Sequence, residues 1–309
     1  MYIVVNPVTG GGRGRKIFEK TEPVFRQAGI AYEVIYSGGK KSIQDIVAKL
    51  TAEASGEKDG KYTDIVIIGG DGSMNEAING IADFEHTRIG YIPAGSGNDL
   101  ARGLGLPKNA KKAALRIVSR KTIRTIDIGE ARAGEKKRLF NISSGIGFDA
   151  ESCYYVDHSR LKRVLNGIGL GKLIYITVAI FLIIKNRRFV CRIETGDGKE
   201  RIYDDCLFAV CMNHRYEGGG FMFCPEAADD DGMLDFCVVN GIGPAKFFRM
   251  FPTALKGRHT GFPQIDIFKA EKAVIHTSKL CHIHVDGEAG SRSRKLKLSV
   301  SKNRLKLLV

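Results

Sequence analysis

Two textures of apolar and polar positions divide the chain. From Met1 to about Asp127, short continuous apolar runs alternate with stretches in which apolar residues return every three or four positions. The runs YIVVN, YEVIYS, DIVIIGG and RIGYIPAG precede helical patterns over 15–28, 42–55, 73–83 and 98–105, with a further helix to about 119. Strands that are apolar on both faces and joined through helices predict a parallel sheet covered on both sides. Ligands of such sheets bind beyond the carboxyl ends of the strands. Because GGGRG, SGG, GGDG and AGSGN each follow one of these strands, four loops are expected along one edge.

From about Ile128 the pattern changes to apolar residues at every second position, in RLFNIS, FVCRIETGDGKERIYDD, LFAVCMN, MLDFCVVN, AVIHTS, CHIHVDGE and KLKLSVS. TGDGK reads as a hairpin turn. The expected fold class is therefore α/β: a parallel-sheet, Rossmann-like domain over 1–128, then an antiparallel β-rich sandwich or partial barrel over 129–309. A helix near 160–186 interrupts the second part. Its most apolar window, Leu173 to Ile184, has 12 residues, too few for the ~20 that span a bilayer. It is expected to be buried or interfacial. Arg160, Lys162, Arg163, Lys172, Lys185, Arg187 and Arg188 flank it, so docking on an anionic membrane is one reading and a core helix with solvated ends the other. The tail from Ala289 to Val309 holds seven basic residues and no acidic one. Leu296, Leu298 and Val300 alternate within it, which predicts a strand with a basic face.

Composition adds a constraint on partners. Lys and Arg number 48 against 34 Asp and Glu, a formal charge of +14 over 309 residues, which favours anionic partners without choosing among nucleic acid, lipid headgroups and nucleotide phosphates. No interleaved aromatic stripe or known motif supports nucleic acid, which is not expected as a partner. The seven cysteines form no CxxC pair; with MYIVVNPVTGGG reading as a strand and not as a signal peptide, a reduced, cytoplasmic protein is expected.

The chemistry gathers in two glycine loops. A backbone cradle for phosphate needs N–H groups free to face an anion, glycines for close approach, and a helix N-terminus behind them. GGDGS after VII offers all three, although an isolated Asp-Gly turn would look the same. Asp71 sharpens the reading: it would repel a phosphate unless a divalent cation stood between them, which suggests magnesium. IPAGSGND repeats the design with Gly95, Ser96 and Gly97, where Asn98 and Asp99 would otherwise be ordinary helix caps. GGGRGRK fails the Walker spacing GxxxxGK[ST], and GIGFDA at 145–150 is a chance match to a dinucleotide loop.

NPVTGGGRGR, GGDGSMNEAINGI, IPAGSGNDLARGLGLP, the DIG of TIDIGE, PEAADDDGMLD and VDGE together resemble the ATP-dependent diacylglycerol and sphingoid lipid kinases, particularly the soluble bacterial ones. Ser73 and Ser96 stand where that family usually has threonine. The resemblance implies a first domain like that of NAD kinases and phosphofructokinases, which share GGDG. It implies that Gly69, Gly70, Asp71, Gly72, Ser73, Asn75, Gly95 and Ser96 line the phosphates of ATP, with Asn6 and Ser37 contributing. Asp71, Asp99 and Asp127 would hold catalytic Mg²⁺ directly or through water. Glu288 matches the general base. A second, structural Mg²⁺ would take Asp231 and the carbonyls of Ala228 and Met233, although three successive aspartates, 229 to 231, leave that register open.

The resulting expectation is transfer of the γ-phosphate of ATP to a lipid hydroxyl, diacylglycerol first, by a protein that visits the inner face of the membrane peripherally, without a transmembrane segment. Two alternatives stand beside it: a NAD or sugar kinase on the same nucleotide-binding domain, and a non-catalytic nucleotide or lipid sensor. Oligomeric state, a homodimer included, is open. Cys281, His282 and His284 are not expected to meet at one metal ion, because in a strand Cys281 and the two histidines point to opposite faces. His214 and Arg215 read equally as cleft or solvated loop, and Asp149 as a helix cap or a cleft residue.

Overall fold

The computed structural model describes residues 1–39, 41–54, 62–158, 182–183 and 188–309. Most of the apolar window at 173–184, and its flanking Arg160, Lys162, Arg163, Lys172, Lys185 and Arg187, lie outside the described residues. Of that window Leu182 and Ile183 are described, both helical and buried. The described chain forms two compact units, one of residues 1–128 with 302–309, the other of residues 129–301.

In the first unit β1 (Tyr2–Val5), α1 (Thr9–Gln27), β2 (Glu33–Tyr36), α2 (Ile43–Ala54), β3 (Thr63–Gly69), α3 (Asp71–Gly80), β4 (Thr87–Pro93), α4 (Asp99–Gly103) and α5 (Ala110–Ser119) alternate as the periodicity predicts. The strands run parallel in the order β4, β3, β1, β2. All seven residues of β3 are buried, so its continuous apolar run reflects cover on both faces. Helix α1 buries Phe18, Thr21 and Phe25, one stripe at helical spacing. Asn109 accepts the N–H of Lys112 and caps α5. The first turn of α1 is not regular helix, in keeping with the helix expected from residue 15. Gly10, Gly11 and Gly12 take φ of 57°, 76° and 89°, so the regular right-handed helix begins only after them.

β5 (Ile123–Ala133) leads into the second unit, where β6 (Lys136–Phe140), β7 (Ser143–Gly147), α6 (Phe148–His158), β8 (Phe189–Thr195), β9 (Glu200–Met212), β10 (Leu234–Asn240), α7 (Pro244–Met250), β11 (Ile265–Ala270), β12 (Lys272–Val285) and β13 (Glu288–Leu308) follow. Within this unit the pairings are antiparallel. The long strands β9 and β12 are bridged twice, by β7 along one part of their length and by β8 along another. From Phe208 to Met212 strand β9 feeds two cores: Ala209 and Cys211 join one, Phe208, Val210 and Met212 the other. That is the alternation of a strand covered on both faces.

Three elements differ from the sequence reading. Helices α6 and α7 were not expected; α6 carries almost no amphipathic pattern, since it is buried against strands at both Phe148 and Val156. The segments AVIHTS and CHIHV are one strand, β12, whose register against β13 slips between His276 and Cys281. That irregularity interrupts the apolar alternation that would have marked one strand. The basic tail is a strand, as expected, but its last residues belong to the first unit: Lys306 to Leu308 pair in parallel with Arg88 to Gly90 of β4.

Candidate active site

In the first unit, the ends of β1, β3 and β4 bring their loops together. Asn6 donates from Nδ2 to Ser73 Oγ at 3.0 Å, and Ala94 N–H donates to the Gly69 carbonyl at 2.7 Å. The two glycine loops touch through their backbones: a Cβ on Gly95 would lie 2.7 Å from Gly70 Cα, and one on Gly70 would lie 3.1 Å from Gly95 Cα. Only glycine at both positions allows that approach. Arg13 fastens a third loop, donating from Nε to Gly10 O at 2.9 Å and from its terminal guanidinium nitrogen to Gly95 O at 3.0 Å. Of the other expected phosphate-lining residues, Gly72 opens α3 beside Asp71, Ser96 is exposed, Ser73 is buried and Asn75 is wholly buried. Ser37 donates its hydroxyl back to Val5 O at 3.4 Å.

Asp71 has a local partner as well as a place beside the two glycine loops. Its Oδ2 accepts the N–H of Asp99 at 3.1 Å and its Oδ1 the N–H of Leu100 at 3.2 Å. An aspartate from the β3 loop thus caps α4. The ordinary helix cap that was the alternative reading of Asn98 does not form. Asn98 takes a left-handed backbone with φ of 51° and closes its own loop, Oδ1 accepting the Gly95 N–H and Nδ2 donating to Gly95 O, both at 2.9 Å. Sequence reasoning missed this clasp and the Arg13 tie, since neither role has a spacing signature.

Asp99 pairs with Arg102 one helical turn on. A Cβ on Gly97 would stand 3.2 Å from Asp71 Oδ2 and 3.4 Å from Asp99 Oδ2, so the two carboxylates border one gap that glycine leaves open. Behind them the hydroxyl of Tyr91 is buried, with no hydrogen-bond partner among the described residues. Burial, with the charges of Asp71 and Asp99 added, pushes its pKa well up. Two hard carboxylate donors bordering a glycine gap, beside an orphaned phenol oxygen, suit a small divalent cation. Asp127 on β5 is held by Arg304, whose Nε lies 2.9 Å from Oδ1.

In the second unit, Glu288 opens β13 directly after a two-residue turn. Val285 pairs with Glu288, and Asp286 and Gly287 both have positive φ, 48° and 80°, the signature of a type I′ hairpin for which Asp-Gly is favoured. The Asp286 carboxylate accepts the N–H groups of Asn141, Ile142 and Ser143 at 2.9, 2.8 and 3.0 Å, which ties the turn to the segment before β7. Glu288 itself is half exposed, with Arg138 2.9 Å from its Oε2. Asp231, expected at a structural Mg²⁺, accepts the Met233 N–H at 3.0 Å and has Lys269 Nζ 2.7 Å from Oδ2. It already carries a cation, so a metal there would have to displace an ammonium. Of the residues left open, Arg215 donates to Ala227 O at 3.1 Å and His214 lies 3.3 Å from Asp229, both within the second unit.

Known proteins share this order of domains. Residues 1–131 match the diacylglycerol kinase catalytic domain and residues 142–309 the YegS C-terminal NAD kinase beta sandwich-like domain. The diacylglycerol kinase of Bacillus subtilis is 30% identical over 93% of this chain and 89% of its own. Among solved structures, a diacylglycerol kinase from Bacillus anthracis superposes with a TM-score of 0.71 at 20% identity, covering 99% of this chain and 95% of its own. An NAD kinase from Archaeoglobus fulgidus, solved in complex with ATP, gives 0.52 at 12% identity over 100% and 93%. The chain has the diacylglycerol kinase and NAD kinase fold, an α/β domain followed by an antiparallel β-rich one, and it belongs to the diacylglycerol kinase family of lipid kinases.

Proposed function

We propose that this kinase transfers the γ-phosphate of ATP to the hydroxyl of a membrane lipid, with diacylglycerol as the acceptor and phosphatidic acid as the product. The observation that carries the reading is the meeting of the Gly70 and Gly95 backbones beside the Asp71–Asp99 pair. Backbone groups that approach this closely suit a phosphate chain. Asp71 and Asp99 would hold Mg²⁺, which when bound neutralises charge on the transferring phosphoryl group. Asp71 also orders the start of α4, so one side chain couples loop geometry to charge. Arg13 holds the β1 loop against Gly95 and would keep the cradle narrow.

Glu288 is proposed as the general base. A half-exposed carboxylate on a hairpin anchored by three N–H groups can accept a hydroxyl proton without losing its orientation. Arg138, 2.9 Å from its Oε2, would keep that carboxylate pointed. The +14 charge suits an enzyme that works in the cytoplasm and meets its substrate on the anionic inner face of a membrane. Among the described residues no helix is long and apolar enough to cross one.

Incubation with γ-labelled ATP and mixed vesicles of diacylglycerol and phosphatidylglycerol tests the reading. The expected outcome is Mg²⁺-dependent label in phosphatidic acid. Label in NAD or a sugar, and none in lipid, would replace it with the other kinase class. Nucleotide binding without transfer to any acceptor would make the protein a sensor.

A further inference from the structure

His284 lies on β12, four positions before Glu288, and is 0% exposed. Its ring is held at both edges. Nε2 lies 2.6 Å from Oδ2 of Asp149 in the first turn of α6 and 3.6 Å from Oε1 of Glu217. At the other edge Nδ1 accepts the N–H of Gly287 at 3.3 Å. Glu217 in turn accepts the hydroxyl proton of Ser143 at 2.6 Å. The sequence reading set His284 aside and left Asp149 between a helix cap and a cleft residue; the fold makes them neighbours.

Asp149, Glu217 and His284 have ligand atoms within 4.8 Å of one another, so a metal ion is the first reading to weigh. Two features oppose it. A backbone N–H aimed at Nδ1 needs a lone pair there, which leaves the proton of the neutral ring on Nε2, the nitrogen that a metal would need bare. The 2.6 Å separation of Nε2 and Asp149 Oδ2 is also shorter than the roughly 3 Å between adjacent donors on a small octahedral ion with bonds near 2.1 Å.

We propose instead that His284 is a positioning residue for Glu288: unprotonated Nδ1 holds the Gly287 peptide, and with it the Glu288 end of the hairpin, while Asp149 and Glu217 fix the opposite edge of the ring. The inference rests on the reading of Glu288 as base. It gives the turn a second anchor. Asp286 ties one side to Asn141, Ile142 and Ser143, and His284 ties the peptide that leads into Glu288.

The groups facing the ring are anionic: Asp149 from α6, Glu217 beyond β9, and Asp286 from the turn. Burial disfavours the charged ring, but the three carboxylates outweigh it, so the pKa rises to about 9. Protonation puts a hydrogen on Nδ1 and sets it against the Gly287 N–H. The anchor therefore exists only for the neutral ring, and its contribution grows as pH rises.

Two substitutions separate the edges of the ring. In His284→Asn, Oδ1 stands near the place of Nδ1 and keeps an acceptor for Gly287. In His284→Gln, Nε2 stands near the place of the ring Nε2 and keeps the contact with Asp149. With γ-labelled ATP and diacylglycerol vesicles from pH 6 to 10, wild-type kcat should rise through about pH 9. H284N should lack that step. At pH 10, where the ring is neutral, H284Q should lose roughly ten- to a hundredfold in kcat, as expected for a catalytic group misplaced by about 1 Å, with KM for ATP unchanged, and H284N should retain more. Equal losses that follow the thermal midpoints, H284Q more active than H284N, or the wild-type step persisting in H284N would each overturn the proposal.

The ¹⁵N–H resonance of Gly287 is read in parallel, so that failure of the kinase reading is distinguishable. It should shift between pH 7 and 10 in wild type and stay fixed in H284N, whether or not lipid is phosphorylated. An unmoved Gly287 resonance in wild type would overturn the positioning role, as would Zn²⁺ or Mn²⁺ bound by wild type and lost in H284N.

Discussion

Asp71 and Asp286 begin as the same sequence feature, an aspartate followed by glycine after an apolar strand, and end in different roles. Each accepts backbone N–H groups from a distant segment, Asp71 from Asp99 and Leu100, Asp286 from Asn141, Ile142 and Ser143. Asp286 gathers three consecutive N–H groups and ties its turn to the segment before β7. Asp71 still borders a gap, with Asp99 across it and two glycine backbones alongside. Both aspartates hold loops in place; the neighbourhood decides whether the carboxylate has chemistry left to offer.

The largest expected effect lies beside Asp286. Glu288→Gln should lower kcat by roughly a thousandfold, within the usual range for a lost general base, while nucleotide affinity, read by calorimetry, stays close to wild type. An active E288Q would make the Asp286 turn purely structural.

Next comes the pH dependence of folding. The pKa of His284 is about 9 in the fold against an ordinary 6.5, so protonation favours the folded state. Its contribution, about 3 kcal/mol, is complete below pH 6.5 and disappears as pH rises through about 9. Urea unfolding from pH 6 to 10 should show this loss in wild type and not in H284N. Stability and turnover then move in opposite directions with pH, which a merely structural histidine would not produce.

Exchanging each aspartate for asparagine sharpens the comparison directly. Asp71→Asn should cost only about 1 kcal/mol, since two N–H groups lose a charged acceptor but an amide oxygen remains, and reduce kcat/KM roughly a hundredfold, the scale of one lost electrostatic group in an active site. Asp286→Asn should do the reverse in emphasis, costing about 2 kcal/mol because three N–H groups lose a charged acceptor. Equal effects on stability and turnover in both variants would erase the distinction. The smallest effect is at Asp231. Lys269→Met removes its cation partner and also the ammonium 3.7 Å from buried Asp235, and should cost about 1 kcal/mol; added Mg²⁺ should then raise the melting temperature of K269M more than that of wild type.

Much of this was legible along the chain. The parallel strands of the first unit showed themselves as uninterrupted apolar runs, because strands such as β3 are buried on both faces. GGDGS and AGSGND announced themselves because only glycine permits two backbones to meet. The clasp of Asn98 on Gly95 and the tie from Arg13 were not legible, since both depend on which loops become neighbours. Helix α6 hid for a similar reason: its burial against strands leaves little amphipathic contrast. The surroundings of His284 were not legible because strand alternation says which face a side chain takes, whereas its partners, Asp149 and Glu217, come from elements far away in sequence.

Transfer of γ-labelled phosphate from ATP to diacylglycerol in anionic vesicles, with and without Mg²⁺, tests the central claim most directly. Labelled phosphatidic acid that appears with wild type and Mg²⁺, and is lost with chelator and with Glu288→Gln, is the predicted result. Wild-type protein that binds ATP but labels no lipid, whatever the acceptor in the vesicles, would contradict it.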